Sequence, residues 1–236
     1  MLNDFEDLIQ AVQDDETIGN ESTLYPLALI KRAINRAYAK AGSLFLWPET
    51  RSAKKTTTQA NIDYYDYPQN WRSDSIWKLR INLERYGEDP DGSPMTFEDY
   101  LNWKEDYPDS TDKKWSNQNR RYFVSPMPTT AGLVICIWGY ENVEELVNNS
   151  DVTIFSYSTL EGNEAIVLEA VAILKSKGED EKRGEFRSLE AKQILIGAWD
   201  KIKKFQSKYE KTAPFLDVPD YFAGNSRGRQ VTGNFN

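Results

Sequence analysis

Histidine is absent from all 236 residues. Its absence removes Ser–His and Cys–His nucleophile pairs, histidine-ligated zinc and the commonest general base. Cysteine is nearly absent too, with Cys136 standing alone. One cysteine closes no intramolecular disulfide. Its setting, Leu133-Val134-Ile135-Cys136-Ile137-Trp138, predicts a buried, inert thiol. Such sparing use fits a reducing compartment. Long apolar runs are missing: residues 133–138 and 165–174 are the longest, short of the roughly 18 that a membrane span needs. The opening residues 1–7 are acidic and amphipathic, unlike a signal peptide. A soluble chain with no membrane partner is expected.

Clustered positive charge is also lacking. The formal net charge is −8, and residues 84–112 hold ten acids against only Arg85 and Lys104. The helical stretch 160–212 is nearly neutral, and no region reads as a basic stripe. Tight non-specific DNA binding works by phosphate neutralisation, so only transient contact with DNA is expected. What the chain does have is aromatic: 7 Trp, 13 Tyr and 10 Phe. That content argues against disorder.

Helical periodicity marks both ends of the chain. Phe5, Leu8, Ile9 and Val12 share one helical face. Ser22 or Thr23 is expected to cap a second helix, with Pro26 in its first turn. Leu27, Ile30, Ile34, Tyr38, Ala41 and Phe45 follow, with an end near Gly42 before Trp47-Pro48. Near the other end, residues 162–174 are apolar on nearly every side, as in a fully buried helix. A charged turn at 178–184 is expected next. A long amphipathic helix over 185–211 then carries Leu195, Trp199, Ile202, Phe205 and Tyr209 on one stripe. Its lysines near the C-terminus read as a solvated face.

The middle reads as β. Residues 56–58 and 62–67 are expected to pair as a hairpin around Gln59-Ala60-Asn61, with a further strand at 75–83. Residues 121–124 and 133–140 are expected to pair around Ser125-Pro126-Met127-Pro128-Thr129-Thr130. Within the acidic segment, Thr96 can cap a short helix bearing Phe97, Tyr100 and Leu101.

The fold class expected is therefore α+β: a helical-bundle body, an inserted antiparallel β-rich domain and an extended C-terminal tail. The parts are residues 1–50 and 151–212 for the body, 51–150 for the insertion with an acidic loop at 84–112, and 213–236 for the tail. The tail lacks any helical or strand period, yet holds Phe215, Leu216, Val218, Tyr221, Phe222 and Phe235. A linker in water is not usually this apolar. Fully extended, 24 residues span roughly 75–80 Å, against a radius of gyration of about 17–18 Å for a globule of this size. The tail is long enough to dock on another subunit, and Arg227 and Arg229 suit an acidic partner surface. A tail folded back on its own core is the competing reading.

No catalytic, cofactor-binding or metal-ligating set emerges, and an enzyme is not expected. Asp63 with Asp66, or Asp89 with Asp91, offers paired carboxylates only in turn-like contexts. A second functional class remains open. Tyr64, Tyr65, Tyr67, Trp71, Trp77, Tyr100, Trp103 and Trp115 could form a sugar-stacking platform, as in a carbohydrate-binding module, although Tyr65, Tyr67 and Trp77 sit where strands would pack on helices.

The order of motifs carries a resemblance. A helix over 24–45 closed by Trp47, the strand Tyr64-Tyr65-Asp66-Tyr67-Pro68, and Tyr122-Phe123-Val124-Ser125-Pro126-Met127-Pro128 come first. The strand 133–140 and the helix start Glu164-Ala165-Ile166-Val167-Leu168-Glu169-Ala170 follow. Over residues 20–210 the chain resembles the head-to-tail adaptor, or connector ring, proteins of short-tailed bacteriophages, including crAss-like phages. It departs in a longer 84–112 segment and in Ile154-Phe155-Ser156-Tyr157-Ser158, where the family has leucine–proline. The resemblance implies a homo-oligomeric ring, a dodecamer, in the virion neck after assembly in the host cytoplasm. Its implied partners are the portal protein above and tail or further ring proteins below, with the C-terminal tail reaching the portal. Glu88, Asp89, Asp91, Glu98 and Asp99 are then candidates for an acidic channel or interface surface.

Overall fold

A computed structural model describes residues 2–15, 18, 24–87, 92–157, 159, 161–176 and 181–212, with the side chains of 181, 183 and 205–212 excepted. These residues fall into two units. One contains residues from 1–49 and 143–212, the other 50–142. The fold is α+β, with helices in both units and antiparallel sheets in the second.

The helical unit begins with α1, Phe5–Gln13, whose N-terminus is capped by the Asp4 carboxylate accepting from the Asp7 amide. Phe5, Leu8, Ile9 and Val12 are buried, as their spacing requires. Helix α2, Leu27–Leu44, starts directly after Pro26, which occupies the cap position with no side-chain hydrogen bond. The expected caps Ser22 and Thr23 lie outside the described residues. The helix also runs past Gly42 to Leu44. Gly42 serves a close approach instead of a helix end: a Cβ there would lie 2.5 Å from Val143 Cγ1.

Trp47 follows α2 and is fully buried, its Nε1 donating to Ala41 O at 2.9 Å. It meets Phe155 edge-on at 4.9 Å between centroids, while Phe45 stacks on Trp199 at 5.1 Å. Residues 143–157 belong here because Leu146 is buried and clasped at both backbone atoms by the Asn35 side chain. The β part therefore ends at 142 rather than 150.

Two more helices of this unit follow at 161–175 and 181–212. The first is buried on several sides, including Ala165, Ile166, Ala170 and Val171. Glu169 on it is also buried, with its two oxygens accepting from Lys40 Nζ at 2.6 Å and Ser188 Oγ at 2.7 Å. The second begins at Glu181, so Gly184 sits inside a helix and not in the expected turn; residues 177–180 lie outside the described ones. Leu195 is buried, and Trp199 and Ile202 pack on the same core.

In the other unit, one sheet has the order β1–β7–β3–β4, formed by Arg51–Thr57, Val134–Tyr140, Lys78–Ile81 and Glu84–Tyr86. A second sheet runs β2–β6–β5, from Tyr64–Asp66, Arg121–Ser125 and Lys114–Gln118. Neither of the two expected pairings forms. Thr56 and Thr57 pair with β7, whereas Tyr64 pairs with Phe123 in the other sheet. Gln59-Ala60-Asn61 is thus a crossing between sheets. Thr58 turns the chain there, donating to Thr130 O and accepting from the Leu133 amide. Strand β6 likewise pairs with β5 and β2, not with β7. The β5–β6 hairpin turns at Asn119-Arg120, both with positive φ, the signature of a tight two-residue turn.

Inward side chains of both sheets make one core: Leu79, Ile81, Tyr86, Ile135 and Ile137 face Tyr65, Trp115, Tyr122 and Val124. The aromatic side chains here pack between sheets instead of against the helices. Gly139 is needed for this packing, since a Cβ would come within 2.5 Å of the Trp71 ring. Helix α3, Phe97–Asp106, is capped by Thr96 as expected and covers the second sheet through Phe97, 4.9 Å from the Phe123 ring. In chain order the helices at 161–175 and 181–212 are then α4 and α5. The described residues of the segment 84–112 therefore contain a strand and a helix.

Buried tyrosines set a limit on alkaline stability. Burial pushes the Tyr38 hydroxyl up to about 12 from its ordinary 10, against the lowering effect of the Ile154 amide that it accepts from. Burial pushes Tyr67, Tyr100 and Tyr122 upward as well. The folded state prefers the neutral hydroxyl, so this contribution is intact below about pH 10 and is lost as pH climbs through about 12. Thermal melts across this window are expected to fall steeply, with tyrosinate absorbance from the buried rings rising only as the chain unfolds. Tyr38→Phe is expected to flatten part of the fall; an unchanged slope would exclude Tyr38 as a contributor.

Candidate functional site

The tail candidates Phe215, Leu216, Val218, Tyr221, Phe222, Arg227, Arg229 and Phe235 lie outside the described residues. So do Glu88, Asp89 and Asp91. Glu98 and Asp99 are described and sit in the first turn of α3, both exposed. The Thr96 hydroxyl donates to Asp99 at 2.6 Å and accepts from the Asp99 amide at 3.2 Å. Carboxylates there suit the positive end of the helix dipole. Glu105 and Asp106, at the other end of α3, oppose the dipole and are also exposed. With Asp109 and Asp112 beyond it, α3 carries an acidic outer surface.

No carboxylate pair is poised for hydrolysis in the described part. Asp63 is held by Lys104 Nζ at 2.6 Å and Asp66 by Arg121 Nε at 3.0 Å. Burial alone would raise Glu141, but hydrogen bonds from Ser52, Trp71 and Lys54 hold its carboxyl below the usual range. Among the described residues, no group of three or more Cys, Asp or Glu is placed to hold a metal ion. No helix among them is long and apolar enough to cross a membrane. Cys136 is buried, as expected. A groove of about 480 Å³ in the helical unit is lined by Lys40, Leu44, Glu169, Ser188 and Leu189, but Glu169 is already saturated by Lys40 and Ser188.

The aromatic platform does not come together. Tyr65, Tyr67, Trp71, Tyr100 and Trp115 are buried, so these five offer no open ring face to a sugar. Of the eight, Tyr64 alone is well exposed, at 42%.

One surface escaped the sequence reading. In the first sheet, Leu79, Ile81, Ile135 and Ile137 point into the core. Strand alternation then turns Lys78, Arg80, Cys136, Trp138 and Tyr140 to the opposite side. Register adds Arg51 opposite Tyr140, Lys55 opposite Cys136 and Arg85 opposite Arg80. The result is a face with five cations and no acid at its outward strand positions. Lys78 Nζ lies 5.1 Å from the Trp138 ring centre and Arg80 lies 5.8 Å from it, while Arg51 lies 5.9 Å from that of Tyr140. Such cation–ring contacts hold the charged heads over the sheet. The available signal was the alternation of bases at 51 and 55 and at 78 and 80; that these strands are neighbours was not visible.

No protein-family model matches the chain, and no curated protein matches it.

Proposed function

We propose that this chain is a structural virion protein: a head-to-tail adaptor forming a ring between the portal and the tail and continuing the DNA channel. The observation that carries this reading is the element order. Among the described residues, two helices, a β unit of seven strands and two further helices follow one another, in the order that the motif resemblance implies. A further 24 residues continue beyond the long α5. Identical subunits joined by heterologous contacts close into a ring when the rotation between them permits, and the dodecamer is the closure the resemblance implies. DNA passes through such a ring without being held, consistent with a net charge of −8.

The burial of five platform aromatics weighs against the carbohydrate-binding reading. The test is assembly on the portal protein of the same particle, followed by native mass spectrometry. A stoichiometric ring seated on the portal is expected, with a twelve-fold copy number by the resemblance. Failure to bind the portal, together with a hit on a glycan array, would replace this function by the carbohydrate module.

A further inference from the structure

We propose that the outward face of α5 is a docking site for a second copy of this chain, the two helices crossing antiparallel about a two-fold axis near Leu189. A ring is built from heterologous contacts, so this isologous contact goes beyond the adaptor reading and does not rest on it.

Phe186, Leu189 and Ile196 lie on the side of α5 turned away from buried Ala191, Leu195 and Ala198. Phe186 is 72% exposed, Leu189 54% and Ile196 40%. Apolar residues scattered singly over a surface need no explanation, but three large ones along one helix face form a patch, and patches mark contact surfaces. The patch runs into the groove of about 480 Å³, which exposed Leu44 of α2 and Leu189 of α5 line together.

Charge on the lip of the groove identifies the occupant. Glu185 and Lys192 both line it, four residues before Leu189 and three after, and both are exposed. Side chains at that spacing share one helix face. An antiparallel two-fold about Leu189 brings Glu185 of each copy opposite Lys192 of the other, two ion pairs on either side of a Leu189–Leu189 contact. It also lays Phe186 of each copy along the outward turn of the other that holds Lys192 and Gln193. Parallel pairing would set Glu185 against Glu185 and Lys192 against Lys192, so the charges select the direction.

The chain's own residues 213–236 are the rival occupant. Their apolar part, 215–222, holds Asp217 and Asp220 and no base, so it answers Lys192 but repels Glu185. A second copy answers both.

The test uses the full chain, whose one cysteine is buried. Leu189→Cys is expected to give a disulfide-linked dimer under mild oxidation, because a close two-fold crossing holds the paired Cα atoms within the roughly 4.4–6.8 Å that a disulfide spans. Val147→Cys, exposed on another segment of the same unit, should give little. Sedimentation equilibrium of the unlinked chain then reads affinity. Glu185→Lys is expected to weaken the dimer about tenfold, and Phe186→Ala about thirtyfold. The double variant Glu185→Lys/Lys192→Glu should restore the starting affinity, since the pairs re-form with their charges exchanged. No linked dimer from Leu189→Cys, or a double variant no tighter than the single one, overturns the proposal. So does a monomer whose introduced thiol resists a maleimide until the chain is cut after Thr212, which would give the face to the tail. Linked dimers without portal binding would keep this contact and remove the adaptor reading. Portal-bound rings from a chain that forms no such dimer would do the reverse.

Discussion

Trp47→Ala is expected to lower the stability of the helical unit by about 3–5 kcal/mol, the range for deleting a large buried aromatic side chain. Trp47 has no exposed surface, and its ring touches three others: Phe45 at 5.4 Å, Phe155 at 4.9 Å and Trp199 at 5.5 Å. All three contacts are near-perpendicular, the edge-to-face geometry that adds to simple burial. Those partners come from three places: just after α2, the 143–157 segment and α5. The indole therefore joins parts of the chain more than a hundred residues apart. Truncation opens a cavity among rigid rings that cannot collapse, and leaves Ala41 O without its indole donor. Urea unfolding followed by helix circular dichroism measures the loss. Tyr157→Ala is the control, since Tyr157 is 87% exposed, and a change within about 0.5 kcal/mol is expected there. A loss below about 1 kcal/mol at Trp47 would contradict its role as the joint of this core.

Truncation after Thr212 is expected to weaken portal binding by about 10²–10⁴-fold, and with it the joining of heads to tails. A tethered segment binds at high effective concentration once the main interface has formed, so removing it costs avidity on that scale. The segment is 24 residues long and carries Phe215, Leu216, Val218, Tyr221, Phe222 and Phe235, apolar side chains suited to a groove or a sheet edge. Ring formation and thermal melting should change little, because α5 is retained to its end. Portal affinity, measured by biolayer interferometry on the intact and shortened chains, separates the two readings of the tail. Normal portal affinity with a lowered melting temperature would mean that these residues serve their own subunit, and the docking role would be lost.

The helices were legible because each carries its own evidence of periodicity. Phe5, Leu8, Ile9 and Val12 repeat at helical spacing and are buried together, and Thr96 caps α3 where its side chain can reach the Asp99 amide. The all-round apolar pattern of α4 likewise matched its burial. Helix limits were less legible. Gly42 resembles a terminator until Val143, a hundred residues on, is seen to occupy the space beside it.

Strand existence was legible and strand partnership was not. The chain alternates between sheets, β1 to β2, then β3 and β4, then β5 and β6, then β7. Residues 56–58 and 62–67 look like a hairpin by proximity, yet they belong to different sheets. Two hairpins were overlooked, β3–β4 turning at Asn82-Leu83 and β5–β6 turning at Asn119-Arg120, both without the glycine that usually marks such a turn.

Residue types alone settled that histidine chemistry is excluded, that the two ends are helical and the middle is β, and that negative charge concentrates in 84–112. Those properties are local, written in composition and in periods of two or 3.6 residues. The basic face was decided only by folding, because Arg51, Lys55, Lys78, Arg80 and Arg85 are spread over three strands with acids and neutral residues between them. Alternation tells each strand which side its cation takes; only long-range pairing makes those sides one surface, back to back with the acidic helix.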